Sequence, residues 1–342
     1  MIGPLYFQRR EINMDRYIEE PFSPSLFSRN RHIQTTFASL HLRAAGKNEM
    51  VAAATESIIP AGDGVRLLGC HSRQTAKKAV GLVILLHGWE GSSDSTYMQT
   101  TGRFFYRLGY DVFRLNFRDH GNSHCLNEGI FHGALTKETV AAIGEIAGWQ
   151  PDLPCYLIGF SLGGNFALRV ALNQSNHPIF NLKKVFAISP AIDPYKATLA
   201  IDNGPTVYRR YFMAKWKRSL KIKQQCFPAL YNFDSLFRHT HLLSMTEAVM
   251  ALYPEFADYR QYFNLYTLTG DALSFLSMPA FIFMAEDDPA VPVEDFYNLP
   301  DNPFLHLSIQ PHGGHCGFID PFPFGCWYER QIAAIIEAMG EK

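Results

Sequence analysis

The chain has 342 residues and a mass of 38.8 kDa, with 47% hydrophobic, 14% aromatic and 18% charged residues. That composition suffices for a large apolar core and excludes a disordered chain. Thirty-one basic against 32 acidic residues leave a formal charge of −1, which argues against a nucleic-acid partner, because neutralising phosphates needs clustered excess base.

In chain order, the first 50 residues lack a strong hydrophobic period and are expected to wrap over the rest. Glu56 to Pro60 and Val65 to Ser72, joined through Gly62-Asp63-Gly64, read as an antiparallel hairpin. Gly81 to Leu86 is an apolar run of the kind buried on both faces of a sheet. Further strands are expected at Tyr110–Phe117, Cys155–Phe160, Lys184–Ser189, Pro279–Ala285 and Phe304–Ile309. Helices are expected at Thr96–Leu108, Thr136–Trp149, Leu162–Asn173 and Trp327–Met339. This alternation predicts an α/β fold with a mostly parallel, doubly wound sheet. The interval from Pro194 to Met278 holds no clear strand and is rich in aromatics, so it reads as an inserted helical cap, too long for an ordinary connection. The expected organisation is a wrapping segment (1–50), a core (51–193 and 279–342) and a cap (194–278).

The six cysteines show no CxxC spacing, so no disulfide framework is expected and a reducing compartment fits. Residues 1–20 carry Glu11, Asp15, Glu19 and Glu20 without an apolar block before a cleavage site, unlike a secretory signal. The longest aliphatic run, Val80 to Leu86, is far short of the roughly 20 residues that span a bilayer. A soluble cytoplasmic protein is expected.

Chemistry concentrates after three strands. Gly159-Phe-Ser161-Leu-Gly163 is a G-x-S-x-G sequence set between a strand and a helix, the context in which a serine projects above a sheet as a nucleophile. A serine hydroxyl needs a base, and the base needs an orienting carboxylate. The carboxylate is expected from Ala285-Glu-Asp-Asp-Pro289 after the next-to-last strand, as Asp287 or Asp288. The base is expected from His312-Gly-Gly-His315 after the last strand, with His315, on its glycine-flanked loop, preferred over His312. Backbone N–H groups of Leu162 and Trp89 are the expected donors to a tetrahedral oxyanion. A free imidazole titrates near 6.5, so activity is expected to fall below about that pH. The runs His120 to Cys125 and His312 to Cys316 lack the usual zinc-ligand spacings, and no metal is expected.

These residues resemble the α/β-hydrolase superfamily, in which the order Ser, Asp, His recurs, and in particular its YheT-like branch, related to animal α/β-hydrolase-domain esterases and lipases. The likeness runs from about Pro21 to the C-terminus. Asn30-Arg-His-Ile-Gln-Thr35 is similar to the branch's Asn-x-His-(Leu/Ile)-Gln-Thr, and His87-Gly-Trp-Glu-Gly-Ser-Ser93 to its His-Gly-Leu-Glu-Gly-Ser. Ala285-Glu-Asp-Asp-Pro289 and Gly313-Gly-His-Cys-Gly-Phe318 resemble two more of its motifs. Asn116-Phe-Arg-Asp-His-Gly-Asn-Ser123 departs from the branch and is closer to generic α/β hydrolases. The Asp-Pro-x-Val-Pro pattern common after this strand in such hydrolases favours Asp288 as the orienter. The resemblance implies cofactor-free hydrolysis of carboxylic esters, here of small-molecule or lipid esters with short- to medium-chain acyl groups. An acyltransferase with the same triad, or a hydrophobic-ligand binding protein with a vestigial site, are the competing readings.

Residues 207–223 hold seven basic residues and no acid, interleaved with Tyr208, Tyr211, Phe212, Met213 and Trp216. The stretch reads as a cap helix with a core stripe and a solvated basic face, or as a weak peripheral membrane contact. Trp89, Phe160, Tyr211 and Phe212 are the expected walls of the substrate pocket.

Overall fold

A run such as Leu82–Leu86 exposes nothing polar on either side, so it is stable only with both faces covered. The computed structural model describes residues 17–75, 77–321 and 324–338; most of the segment judged unlike a secretory signal lies outside them. Strands β1 (Ala54–Pro60), β2 (Arg66–Ser72), β3 (Leu82–Leu86), β4 (Asp111–Asn116), β5 (Cys155–Phe160), β6 (Leu182–Ile188), β7 (Ala280–Ala285) and β8 (Leu305–Gln310) form one sheet. Its order is β1-β2-β4-β3-β5-β6-β7-β8. The pairs β1–β2 and β2–β4 are antiparallel and the remaining pairs parallel. The α-helices of the described residues are α1 (Arg31–Ala38), α2 (Glu49–Ala52), α3 (Thr96–Arg107), α4 (Thr136–Gly148), α5 (Leu162–Leu172), α6 (Pro194–Asn203), α7 (Thr206–Cys226), α8 (Leu242–Met250), α9 (Tyr259–Asn264) and α10 (Trp327–Ala338). Each expected strand and helix is present, with ends displaced by a residue or two, and the sheet is the mostly parallel, doubly wound one expected. Among the described residues no helix is long and apolar enough to cross a membrane.

Strand alternation splits the core in two. Leu82, Ile84 and Leu86 point to the layer holding Ile143 of α4 and Phe166 of α5. Val83 and Leu85 point to the layer holding Phe105 of α3 and Ile332 of α10. All four strands that matter to the site, β3, β5, β7 and β8, end on the same edge, as the pairings Leu86 with Gly159 and Ala285 with Gln310 require.

Between β6 and β7 the chain forms α6 to α9 and no strand. Helix α7 is tied to the segment after β4. Lys223 Nζ, 1% exposed, donates to Asp119 Oδ1 at 2.8 Å and to the His124 carbonyl at 3.2 Å. His124 Nε2 meets Ser219 Oγ at 2.9 Å. Lys215 and Lys217 donate to the carbonyls of Glu90 and Phe237, leaving Arg210, Arg218 and Lys221 exposed. The basic residues of this helix are therefore divided between anchoring and solvent.

One expectation is corrected here. Cys125 and Cys226 form a disulfide, with Cα atoms 5.2 Å apart, while Cys70, Cys155, Cys316 and Cys326 are free and buried. The partners lie 101 residues apart in sequence and meet only because α7 returns to the turn beyond β4, so spacing held no trace of the pair.

Removing one partner of a buried ion pair strands the other charge, at a cost of about 3–5 kcal/mol. Lys223→Ala is therefore expected to lose about that much stability in equilibrium denaturation; a loss under about 1 kcal/mol would contradict the buried pairing.

Candidate active site

The strand-to-helix turn at Ser161 sets the site. Ser161 has φ 53°, a left-handed conformation that costs a non-glycine residue about 1–3 kcal/mol and persists only where its surroundings enforce it. Close packing on both sides does so. A Cβ on Gly159 would stand 2.1 Å from the Gly163 carbonyl oxygen, and one on Gly163 would stand 2.4 Å from the carbonyl oxygens of Leu86 and His87. The two glycines thus let α5 start directly against β3 and β5, with the serine at its N-terminus.

The loop after β8 brings His315 to the serine: Ser161 Oγ lies 2.9 Å from His315 Nε2. On the other side of the ring, Nδ1 lies 2.8 Å from Asp288 Oδ2. An ionised carboxylate only accepts, so Nδ1 carries the proton toward Asp288 and the neutral ring leaves Nε2 to accept from the serine hydroxyl. The second Asp288 oxygen accepts the N–H groups of Ala290 and Val291 at 2.8 and 2.9 Å, which fixes the carboxylate. Asp288 is fully buried at its side chain, whereas His315 keeps 14% exposure.

Asp287 and His312 are not brought to the serine. Asp287 Oδ1 accepts the Gly314 N–H at 2.8 Å, and its other oxygen stands 3.6 Å from His312 Nδ1. Burial raises the Asp287 pKa, with the Gly314 hydrogen bond and His312 opposing.

Burial alone would push the His315 pKa down, but the Asp288 carboxylate, with Cys316 beside it, outweighs burial and holds it well above the ordinary value. The ordinary imidazole value is therefore not the reference for this ring.

The turn after β3 supplies backbone donors. The Gly88 N–H is taken by Tyr97 Oη at 3.0 Å and the Glu90 N–H by His120 Nε2 at 3.2 Å. Among the described residues the N–H groups of Trp89, between them, and of Leu162, which opens α5, have no protein acceptor. A Cβ on Gly88 would lie 3.3 Å from the Ser161 Cβ, so this turn reaches the serine. Two buried histidines brace it. His87 Nδ1 donates to the Gly88 carbonyl at 2.7 Å and its Nε2 accepts the Phe117 N–H at 3.2 Å. His120 Nδ1 donates to the Arg118 carbonyl at 2.7 Å. Burial lowers the His87 pKa to about 4 and that of His120 well below its ordinary value, so both stay neutral and keep one nitrogen as an acceptor. Tyr97 escaped the sequence reading and His120 entered it only as a metal-ligand candidate, since a side chain that receives a backbone N–H leaves no motif; His124 and Cys125, weighed with it, are spent on Ser219 and the disulfide.

A cavity of about 700 Å³ opens between the sheet edge and the cap, with Ser161 and His315 in its wall. Leu242, Val249 and Met250 of α8 and Ile201 of α6 give it an apolar side. The Trp89 ring stacks on Phe212 at 5.5 Å between centroids and meets Trp216 edge-on at 5.1 Å. Tyr211 also lines the cavity. Phe160 borders it too, although its ring is fully buried beside Tyr97 and Tyr328. Glu90, the residue after Trp89, lines the cavity with its carboxyl pKa raised by burial to about 8, against the opposing pull of Lys215.

An alpha/beta hydrolase family model matches residues 83–324. Among solved structures, the chain is similar to an esterase from Pyrococcus furiosus, at 19% identity over 86% of this chain and 93% of that one, with a TM-score of 0.53. It is similar to an alpha/beta hydrolase from Penicillium sp. sh18, at 18% identity over 84% and 99%, with a TM-score of 0.52. It is also similar to a serine hydrolase from Cycloclasticus zankles, at 17% identity over 84% and 100%, with a TM-score of 0.54. At such identities the likeness is one of fold.

A proton NMR titration of His315 is expected to give a pKa above 6.5 in the parent protein. Asp288→Asn removes the carboxylate that chiefly opposes burial, which disfavours the charged ring, so the pKa is expected to fall from the parent value; an unchanged value would contradict the role given to the carboxylate.

Proposed function

The chain belongs to the alpha/beta hydrolase family, and from that premise we propose that it is a serine carboxylester hydrolase acting on short- to medium-chain acyl esters. The observation that carries the reading is the unbroken line from Ser161 Oγ through His315 to Asp288, at 2.9 and 2.8 Å. The motifs shared with the YheT-like branch are the reason to assign the chain to that branch.

In this reading Ser161 attacks the ester carbonyl while His315 Nε2 takes the hydroxyl proton. The oxyanion receives the Trp89 and Leu162 N–H groups, whose place beside the serine suits donors that act mainly in the transition state. The imidazolium then gives its proton to the departing alkoxide, which leaves as the alcohol and Ser161 as an acyl ester. Water attacks that ester with His315 as base, and the proton returns to Ser161 as the carboxylic acid leaves. Asp288 stays ionised and stabilises the imidazolium. The apolar wall from α6 and α8 suits the acyl chain, and a volume of about 700 Å³ lies in the range of small-molecule sites.

A series of nitrophenyl esters from acetate to palmitate tests the reading. Turnover is expected to be highest for short and medium chains, and Ser161→Ala is expected to lower kcat by about 10⁴–10⁶, as triad removals do. Undiminished turnover by Ser161→Ala would exclude the serine as nucleophile.

A further inference from the structure

The motif Asn30-Arg-His-Ile-Gln-Thr35 has no part in the reaction as described, and it precedes the stretch matched by the family model, which begins at residue 83. It caps and opens α1, and its Asn30, His32, Gln34 and Thr35 side chains each have a definite partner. The Asn30 side chain caps the helix by accepting the His32 and Ile33 N–H groups at 2.9 and 3.3 Å. His32 Nδ1 meets the Tyr208 hydroxyl of α7 at 2.9 Å. Gln34, 1% exposed, accepts the Ile319 N–H at 2.8 Å and donates to the carbonyls of Ile319 and Ser28 at 3.1 and 2.8 Å. Thr35 Oγ1 donates to the Arg31 carbonyl at 2.7 Å and accepts the backbone N–H of His315 itself at 2.9 Å.

The loop so gripped is under backbone strain. Gly314, Cys316 and Phe318 have φ values of 55°, 57° and 48°, and the last two are non-glycine residues in the left-handed region, a state that surrounding contacts must enforce. The contact with α1 is as close as glycine allows: a Cβ on Gly314 would lie 2.4 Å from the Arg31 carbonyl oxygen and 2.7 Å from Thr35 Oγ1. No other side chain accepts the His315 N–H among the described residues.

We propose that Gln34 and Thr35 are positioning residues, which hold the loop carrying His315 so that its imidazole stays in line between Ser161 and Asp288. The N-terminal helix is then a working part of the active site. The inference rests on the hydrolase reading above. Displacing a catalytic group by about 1 Å costs about 100-fold in rate, so the hydroxyl of Thr35 acts on turnover with little effect on substrate affinity.

The test compares Thr35→Val, which is isosteric but accepts no hydrogen bond, with Thr35→Ser, which keeps the hydroxyl. Thr35→Ala removes the hydroxyl without adding a methyl group and keeps the test decisive if the valine disturbs folding. The rate constant for labelling Ser161 with a fluorophosphonate is measured beside kcat and KM for a nitrophenyl ester. Expected in Thr35→Val and Thr35→Ala are labelling and kcat reduced about 10- to 100-fold, KM within about threefold, and recovery of most of the rate in Thr35→Ser. Parental labelling rates in the variants that lack the hydroxyl, or a serine variant as slow as they are, would overturn the proposal. An unlabelled parent protein would instead overturn the hydrolase reading itself.

Discussion

The constraint on which the site depends is the crossing of α5 over the ends of β3 and β5, where backbone meets backbone with no room for a Cβ at Gly159 or Gly163. That contact forces Ser161 into a left-handed turn and aims it away from the sheet. Once the serine is fixed there, strand order decides what can reach it. The strands β7 and β8 lie beyond β6 on the same edge, so the loops that follow them arrive from one side, carrying Asp288 and His315. The turn after β3, adjacent to β5 on the other side, arrives with the Trp89 N–H.

Environment then separates histidines of identical chemistry. His87 and His120 are buried without a carboxylate partner, so burial lowers their pKa and they serve as neutral braces for the turn. His315 is largely but not fully buried, and Asp288 outweighs the desolvation and raises its pKa. His315 is thus the imidazole whose charged form its carboxylate neighbour favours. The cap is anchored in a similar way: Lys215 of α7 bonds to the Glu90 carbonyl in the turn after β3, while Lys223 and the Cys125–Cys226 disulfide hold the C-terminal end of that helix to the core. A helix tied to the sheet side at its middle and its C-terminal end thus forms one wall of the cavity.

Much of this was legible in the sequence, for physical reasons. Ser161 announced itself because the close crossing demands glycines on both sides, and a buried parallel strand must be apolar throughout, which exposed β3, β5 and β7. Asp288 and Asp287 could not be told apart by spacing alone, because neighbouring residues at a strand end point different ways and only the turn closed by Ala290 and Val291 selects one. The disulfide was invisible, since its cysteines approach only through the return of α7. The ordinary imidazole value is a poor guide to His315, because a buried carboxylate 27 residues away in sequence raises its pKa. Tyr97 stayed hidden, and the contacts of His120 and Thr35 were illegible although both stood in quoted stretches, for a shared reason: each accepts a backbone N–H, and any residue type with an acceptor could occupy such a place.

The central claim is that Ser161 carries the acyl group between two proton transfers run by His315. It is tested most directly by rapid quenching of a nitrophenyl ester reaction followed by peptide mass mapping. The account expects the acyl mass on the peptide containing Ser161, absent from Ser161→Ala and formed far more slowly in His315→Ala. An acyl group on another residue, or steady turnover with none on Ser161, would contradict it.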